Sequence, residues 1–155
     1  MKPLINRKAR FHYNILEEIE AGIALLGREV KSIKTGQADI SAAYVSIGSK
    51  AGPVLVGASI PLYKFSAPDE NYDPLRTRKL LLKKKEIISL EQALKQKGLT
   101  LIATKVYTKR GRVKVKIALA KGKTKIDKRQ KIREREEQRS IKNRLKQRTG
   151  SVRYR

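Results

Sequence analysis

Three consecutive stretches decide the fold: Leu99–Tyr107, the turn Lys109-Arg110-Gly111, and Arg112-Val113-Lys114-Val115-Lys116-Ile117-Ala118-Leu119-Ala120. Val113, Val115, Ile117 and Leu119 alternate with Lys114, Lys116 and Ala118. That period of two is expected of a strand with one face in a core and the other in water. With the glycine-bearing turn before it and an apolar run ahead of that, the region reads as an antiparallel hairpin with a basic outer face.

Going outward toward the C-terminus, Ala120-Lys121-Gly122-Lys123-Thr124-Lys125-Ile126-Asp127-Lys128-Arg129 hands the strand over to a different kind of chain. From Lys121 to Arg155 there are fifteen Lys and Arg against four Asp and Glu, a net charge of +11. Apolar side chains there are only Ile126, Ile132, Ile141, Leu145, Val152 and Tyr154. Such a segment buries too little surface to offset chain entropy, so it is expected to be disordered when free. Helix is nonetheless latent in it. Asp127 and Gln130 have capping-box spacing, Asp127 and Lys131 form an i,i+4 pair, and Gly and Pro are absent until Gly150. The expected division is a domain over 1–120 and a basic tail over 121–155.

Toward the N-terminus, Asn6-Arg7-Lys8-Ala9-Arg10 is a short basic entry, either a solvated arm or a phosphate contact. Phe11–Leu16 reads as strand, Ala21-Gly22 as a turn or bulge, and Ile23–Leu26 as a second strand. Val30 and Ile33 then sit three apart with Gly36 beyond them, which predicts one or two helical turns after Gly27. Glu29 lies among Arg28, Lys31 and Lys34. It reads either as a surface ion pair or as a carboxylate that orients an arginine or accepts from a ribose or base edge. Tyr44–Ile47 and Val54–Val56 flank the turn-rich Gly48–Pro53 as a hairpin. Pro61–Pro74 is a loop whose aromatics Tyr63, Phe65 and Tyr72 are expected to cover a barrel edge. Leu75–Lys85 is basic with an apolar centre. Ile87, Leu90, Ala93 and Leu94 follow at helical spacing up to Gly98, giving an amphipathic helix on a sheet. Roughly six short strands with a helix between the earlier and later sets suit a mainly β fold, a small closed barrel of the oligonucleotide-binding type with flanking helices.

Charge narrows the partner. Across 155 residues, 38 Lys and Arg outweigh 14 Asp and Glu, for a net +24. An excess that large repels itself unless a polyanion absorbs it, and nucleic acid is the strongest candidate. A membrane surface is disfavoured because the basic segments lack an apolar face. There is no cysteine and no long apolar run, so the expected setting is the cytoplasm. The single histidine, His12, has no Cys or second His to complete a metal site, and no phosphate loop or nucleophile elbow appears. The expectation is a protein without catalytic residues, metal or cofactor.

The sequence resembles the small protein B family, the tmRNA-binding trans-translation factors of bacteria. The resemblance rests on Asn6–Arg10, Glu20-Ala21-Gly22, Gly27–Ser32, Asp73–Leu82, Lys97–Thr100, Gly111–Val115 and Ala120–Lys123 with Asp127-Lys128-Arg129, seven short elements in order from Asn6 to about Leu145. It implies an oligonucleotide-binding-type barrel that grips the tRNA-like domain of tmRNA. It also implies delivery of alanyl-tmRNA, with elongation factor Tu, to stalled ribosomes. The tail would become a helix in the empty mRNA channel near the small-subunit decoding centre. Family residues tied to RNA binding match Asn6, Glu20, Leu81 and Lys114. Together with the basic motifs, the expected tmRNA contacts are Asn6, Arg7, Lys8, Arg10, Glu20, Glu29, Lys31, Arg76, Arg78, Lys79, Leu81 and Lys114. The expected ribosome contacts are Lys121, Gly122, Lys123, Asp127, Lys128, Arg129, Lys131 and Arg133. The protein is expected to be a monomer that meets elongation factor Tu and alanyl-tRNA synthetase only through tmRNA. A structural ribosomal protein of the same barrel-plus-tail plan is the alternative. An RNA-modifying enzyme is disfavoured by the missing catalytic set.

Overall fold

The computed structural model describes residues 2–48 and 52–150, with backbone only for part of the last helix. The chain divides into two compact units, Met1–Gly122 and Lys123–Arg155. Among the described residues the first unit contains seven strands: β1 (Leu4–Ile5), β2 (Tyr13–Ile23), β3 (Tyr44–Gly48), β4 (Gly52–Val56), β5 (Arg78–Leu81), β6 (Leu99–Lys109) and β7 (Arg112–Gly122). All pair antiparallel. Hydrogen bonding runs β6–β3–β4–β5–β2–β7 and returns from β7 to β6, with β1 added on β6.

The hairpin read from the sequence is the longest pairing, from Leu99↔Lys121 to Lys109↔Arg112. Val113, Val115, Ile117 and Leu119 are all buried and belong to one core with Leu55, Leu80, Leu101 and Val106. Burying such side chains contributes on the order of 1.5–3 kcal/mol each. Ala118 and Ala120 fall on the opposite face, yet both are fully buried. A second small cluster explains them: Ala9 of α1 (Arg7–His12) packs on Ala118, Ala120 and Ile102. Two alanines on the outer face let a helix approach where lysines at the other end leave the sheet open.

That helix corrects the reading of Phe11–Leu16 as strand, because Phe11 and His12 end α1 and β2 begins at Tyr13. Asn6 caps it, its Oδ1 accepting from the Ala9 N–H at 2.9 Å. A second correction concerns β2. It is a single strand to Ile23, and Ala21-Gly22 is no turn. Gly22 pairs with Leu81, and a Cβ at Gly22 would stand 3.0 Å from the Leu81 Cβ. Small residues here serve close approach. The bulge in β2 lies earlier, between Ile15 and Glu17.

The helix after Gly27 is present as α2 (Gly27–Lys34), with Gly36 at φ 82° past its end. The hairpin β3–β4 is also present, though the central turn residues 49–51 lie outside the described ones. In Leu75–Lys85 the apolar centre forms β5, an element absent from the sequence reading. The amphipathic helix starts only at Lys84, as α3 (Lys84–Leu94).

In the second unit, Lys125–Gly150 forms one helix, α4. Its cap is Thr124. The Asp127 N–H donates to Thr124 Oγ1 at 3.2 Å, and the Thr124 N–H donates to Asp127 Oδ2 at 3.0 Å. Asp127 is therefore the third helical residue of a capping box and not the cap itself. The side-chain and backbone bonds with Thr124 hold the Asp127 carboxyl below the usual range. Ile126, Ile132 and Ile141 are all exposed. No helix among the described residues is long and apolar enough to cross a membrane.

Candidate nucleic-acid interface

Register builds the interface. Residues paired across antiparallel strands share a face. Glu20 stands opposite Lys116, which stands opposite Lys105; Gly22 stands opposite Lys114, which stands opposite Tyr107. The outer face of β2, β7 and β6 therefore carries a carboxylate, a row of lysines and a phenol, with Lys109 and Arg112 closing the row at the hairpin end. Gly22 brings in Leu81 from β5, whose side chain is 58% exposed. Thus Glu20, Leu81 and Lys114, separated by up to 94 positions in sequence, share one surface.

Glu20 organises this surface. Its carboxylate accepts from the Tyr107 hydroxyl and from Lys109 Nζ at 3.0 Å, and lies 4.0 Å from Lys114 Nζ. The bonds from Tyr107 and then Lys109 lower its pKa, and the Tyr107 phenol is pushed up to about 12 mainly by the same bond. Beside it, Lys116 pairs with Glu18 at 3.2 Å. A hollow of about 540 Å³ opens at the hairpin end, lined by Glu20, Lys109, Arg110, Arg112 and Lys114. Four cations around one carboxylate leave a net positive site suited to a phosphate.

Glu29 has the opposite setting. It is fully buried at the start of α2. Its Oε2 accepts from the Leu26 N–H at 2.7 Å and from Arg76 Nη2 at 2.5 Å. Its Oε1 accepts from Arg76 Nε at 2.8 Å and pairs with Arg78 Nη2 at 2.9 Å. Arg78, itself fully buried, donates onward to the carbonyls of Ala58 and Arg76 through Nη1 and of Pro74 through Nη2. Burial pushes the Glu29 pKa up, but the bonds from Arg76, the Leu26 N–H and Arg78 outweigh it, and the carboxyl ends below its ordinary value. Of the readings of Glu29, the surface ion pair and the ribose or base-edge contact fail, because the carboxylate has no exposed surface, while the arginine-orienting one holds. It orients the arginines as a lock between α2, β5 and the loop before it.

Asn6 is similarly committed. Its Nδ2 donates to Ile40 O at 2.8 Å and Ala103 O at 3.0 Å, and its N–H donates to Thr104 O. At 3% exposure it has little surface to offer a partner, and it fixes α1 on the sheet. Arg7, Lys8 and Arg10 are exposed on that helix. Lys31 is exposed on α2 with its Nζ 5.8 Å from the Tyr63 ring, and Lys79 is exposed on β5. Arg76 is about one-third exposed beside Glu29. In the loop, the Tyr72 hydroxyl donates to Ile60 O at 2.6 Å and Arg28 stacks on its ring, while Phe65 is 75% exposed. Of the tail residues, Lys121 and Gly122 end β7, Lys123 precedes α4, and Asp127, Arg129 and Arg133 are exposed along it. The side chains of Lys128 and Lys131 lie outside the described ones. Among the described residues, no group of three or more His, Asp or Glu gathers into a metal site.

Sequence reasoning missed Tyr107 and Lys109 as the partners of Glu20. The only signal was the alternation of the hairpin, which places 105, 107 and 109 on the basic face once the register is known.

The model of the SmpB protein family matches residues 4–147. This chain belongs to the SmpB family. It is 46% identical over 143 residues to the SsrA-binding protein of Thermosynechococcus vestitus, covering 92% of this chain and 93% of that one. It is 44% identical over 141 residues to the SsrA-binding protein of Leuconostoc mesenteroides, covering 91% and 90%. A solved chain from a structure described as "tmRNA-SmpB: a journey to the center of the bacterial ribosome" is 42% identical with a TM-score of 0.66, over 81% of this chain and 87% of that one.

Proposed function

We propose that this SmpB-family protein is an RNA-binding adaptor of trans-translation, which binds the tRNA-like domain of tmRNA and delivers it to stalled ribosomes. The observation that carries this reading is the β2–β7–β6 face, where Glu20, Leu81 and Lys114 meet beside a cationic hollow. The relatives are SsrA-binding proteins, and SsrA RNA is tmRNA. A basic sheet face recognises structured RNA by shape and phosphate contacts, without catalytic groups. The pairing that returns from β7 to β6 supports a closed barrel of the oligonucleotide-binding type.

Direct tmRNA contact is assigned to Glu20, Leu81 and Lys114, with Lys31, Arg76, Lys79, Arg7, Lys8 and Arg10 as further cations. Asn6, Glu29 and Arg78 act through position. The tail is disordered when free and becomes a helix on the ribosome, in the empty mRNA channel near the decoding centre. Its exposed isoleucines supply little packing to hold a free helix. The protein works in the cytoplasm as a monomer, without metal or cofactor, and meets elongation factor Tu and alanyl-tRNA synthetase only through tmRNA.

Binding of purified protein to tmRNA in the presence of excess bulk tRNA tests this function. Retained tmRNA binding supports it. Competition by bulk tRNA, together with stoichiometric presence in all ribosomes, would favour a structural ribosomal protein instead. Deleting residues 127–155 should leave tmRNA affinity within roughly tenfold (~1.4 kcal/mol) and abolish peptide tagging. A larger loss of affinity would contradict the separation of sheet and tail.

A further inference from the structure

The β6–β7 hairpin turns through only two residues, because Lys109 pairs with Arg112. Arg110 has φ 50° and Gly111 has φ 77°, and Arg110 is the one non-glycine at positive φ among the described residues. A two-residue hairpin with both central φ positive favours Asn or Asp followed by Gly. An arginine there sits in a backbone conformation that side chains with a Cβ adopt at a cost, and such positions persist where function offsets the strain. Asparagine would relieve it while keeping the turn.

Among the described residues, the guanidiniums of Arg110 and Arg112 make no hydrogen bond or ion pair, although the Arg112 backbone pairs with Lys109 in the ladder. Both line the 540 Å³ hollow, where Glu20 engages Lys109 and lies near Lys114. The lysines are thus partly neutralised by Glu20, and the two guanidiniums supply uncompensated charge. Guanidinium geometry suits phosphate, which it binds through paired N–H donors.

We infer that Arg110 and Arg112 form a phosphate clamp at the tip of the β6–β7 hairpin, taking a backbone phosphodiester of the RNA that lies on the Glu20–Leu81–Lys114 face. The inference rests on the proposed function and adds a site to it. Arg110 holds the left-handed turn position because its guanidinium is needed at the tip. Turn stability and RNA affinity are therefore opposed at this residue.

The test compares wild type, Arg110→Asn, Arg112→Gln and the double variant in the full chain. Thermal melting is followed, along with the Kd for the tRNA-like domain of tmRNA across a salt series. Arg110→Asn should melt at or above the wild-type temperature yet bind RNA more weakly. Its plot of log K against log salt should be shallower by about 0.9, the slope change for one lost phosphate contact. Arg112→Gln should flatten it similarly, and the double variant by about twice as much. A wild-type salt slope in both single variants would overturn the clamp. So would a marked fall in melting temperature for Arg110→Asn, because Arg110 would then be supporting the turn. If wild type itself fails to distinguish tmRNA from bulk tRNA, the functional reading falls. If wild type binds selectively and the arginine variants match it, only the clamp falls.

Discussion

Glu20 and Glu29 are the same side chain, nine residues apart, each among cations, yet they do different work. Glu29 is buried in the first turn of α2, where it caps its own helix through the Leu26 N–H and joins α2 to β5 and the loop before it through two arginines. Glu20 lies on an open strand face, where Tyr107, Lys109 and Lys114 surround it within reach of a partner. Charge pattern alone does not separate a lock from a binding surface. Facing decides: position 29 starts a helix whose Ile33 enters the core, while position 20 is on the face opposite the buried Ala21.

The largest expected effect separates the two on stability. Glu29→Ala leaves Arg78 buried without a counter-charge, and breaking such a pair costs about 3–5 kcal/mol. Chemical denaturation measures it, and a loss below about 1 kcal/mol would place Glu29 with surface pairs. The pH dependence follows the same logic. Because the folded carboxyl titrates below its ordinary value of 4.5, its contribution is present above that pH and fades as pH falls through the depressed folded value. Wild type should therefore lose stability on acidification more steeply than Glu29→Gln. Equal acid limbs would contradict the lock.

The outer face predicts a smaller, local response. Glu20→Gln should return the Tyr107 phenol from about 12 toward its ordinary value of 10 in a spectrophotometric titration, with little change in melting temperature. An unmoved phenol would show that Glu20 does not hold Tyr107. Since the raised phenol stabilises the fold only while protonated, that contribution is lost as pH rises through about 12.

What could be read from sequence follows from how local each signal is. Alternation made the β6–β7 hairpin and its basic face legible, and Val30, Ile33 and Gly36 sufficed for α2. Strand β5 stayed hidden because its inward positions are Arg78 and Leu80, and a buried arginine reads as a surface one until its carboxylate is found 49 residues away. Helix α1 is six residues long with one buried side chain, Ala9, too little to leave a period. Strand β2 read as two because Ala21 and Gly22 are small, a requirement imposed by Leu81 from another strand. Of the candidate interface, Glu20, Leu81 and Lys114 came from family resemblance. Tyr107, Lys109, Arg110 and Arg112 needed the register.

The central claim is that the outer β2–β7–β6 face supplies the main RNA contacts, while the buried Glu29 and Arg78 act only through position. Its most direct measurement is the salt dependence of tmRNA binding by Lys114→Glu, a half-buried residue on that face. The expected result is weaker binding with a log–log slope shallower by about 0.9 and a near-native melting temperature. Wild-type affinity with an unchanged slope would contradict the claim.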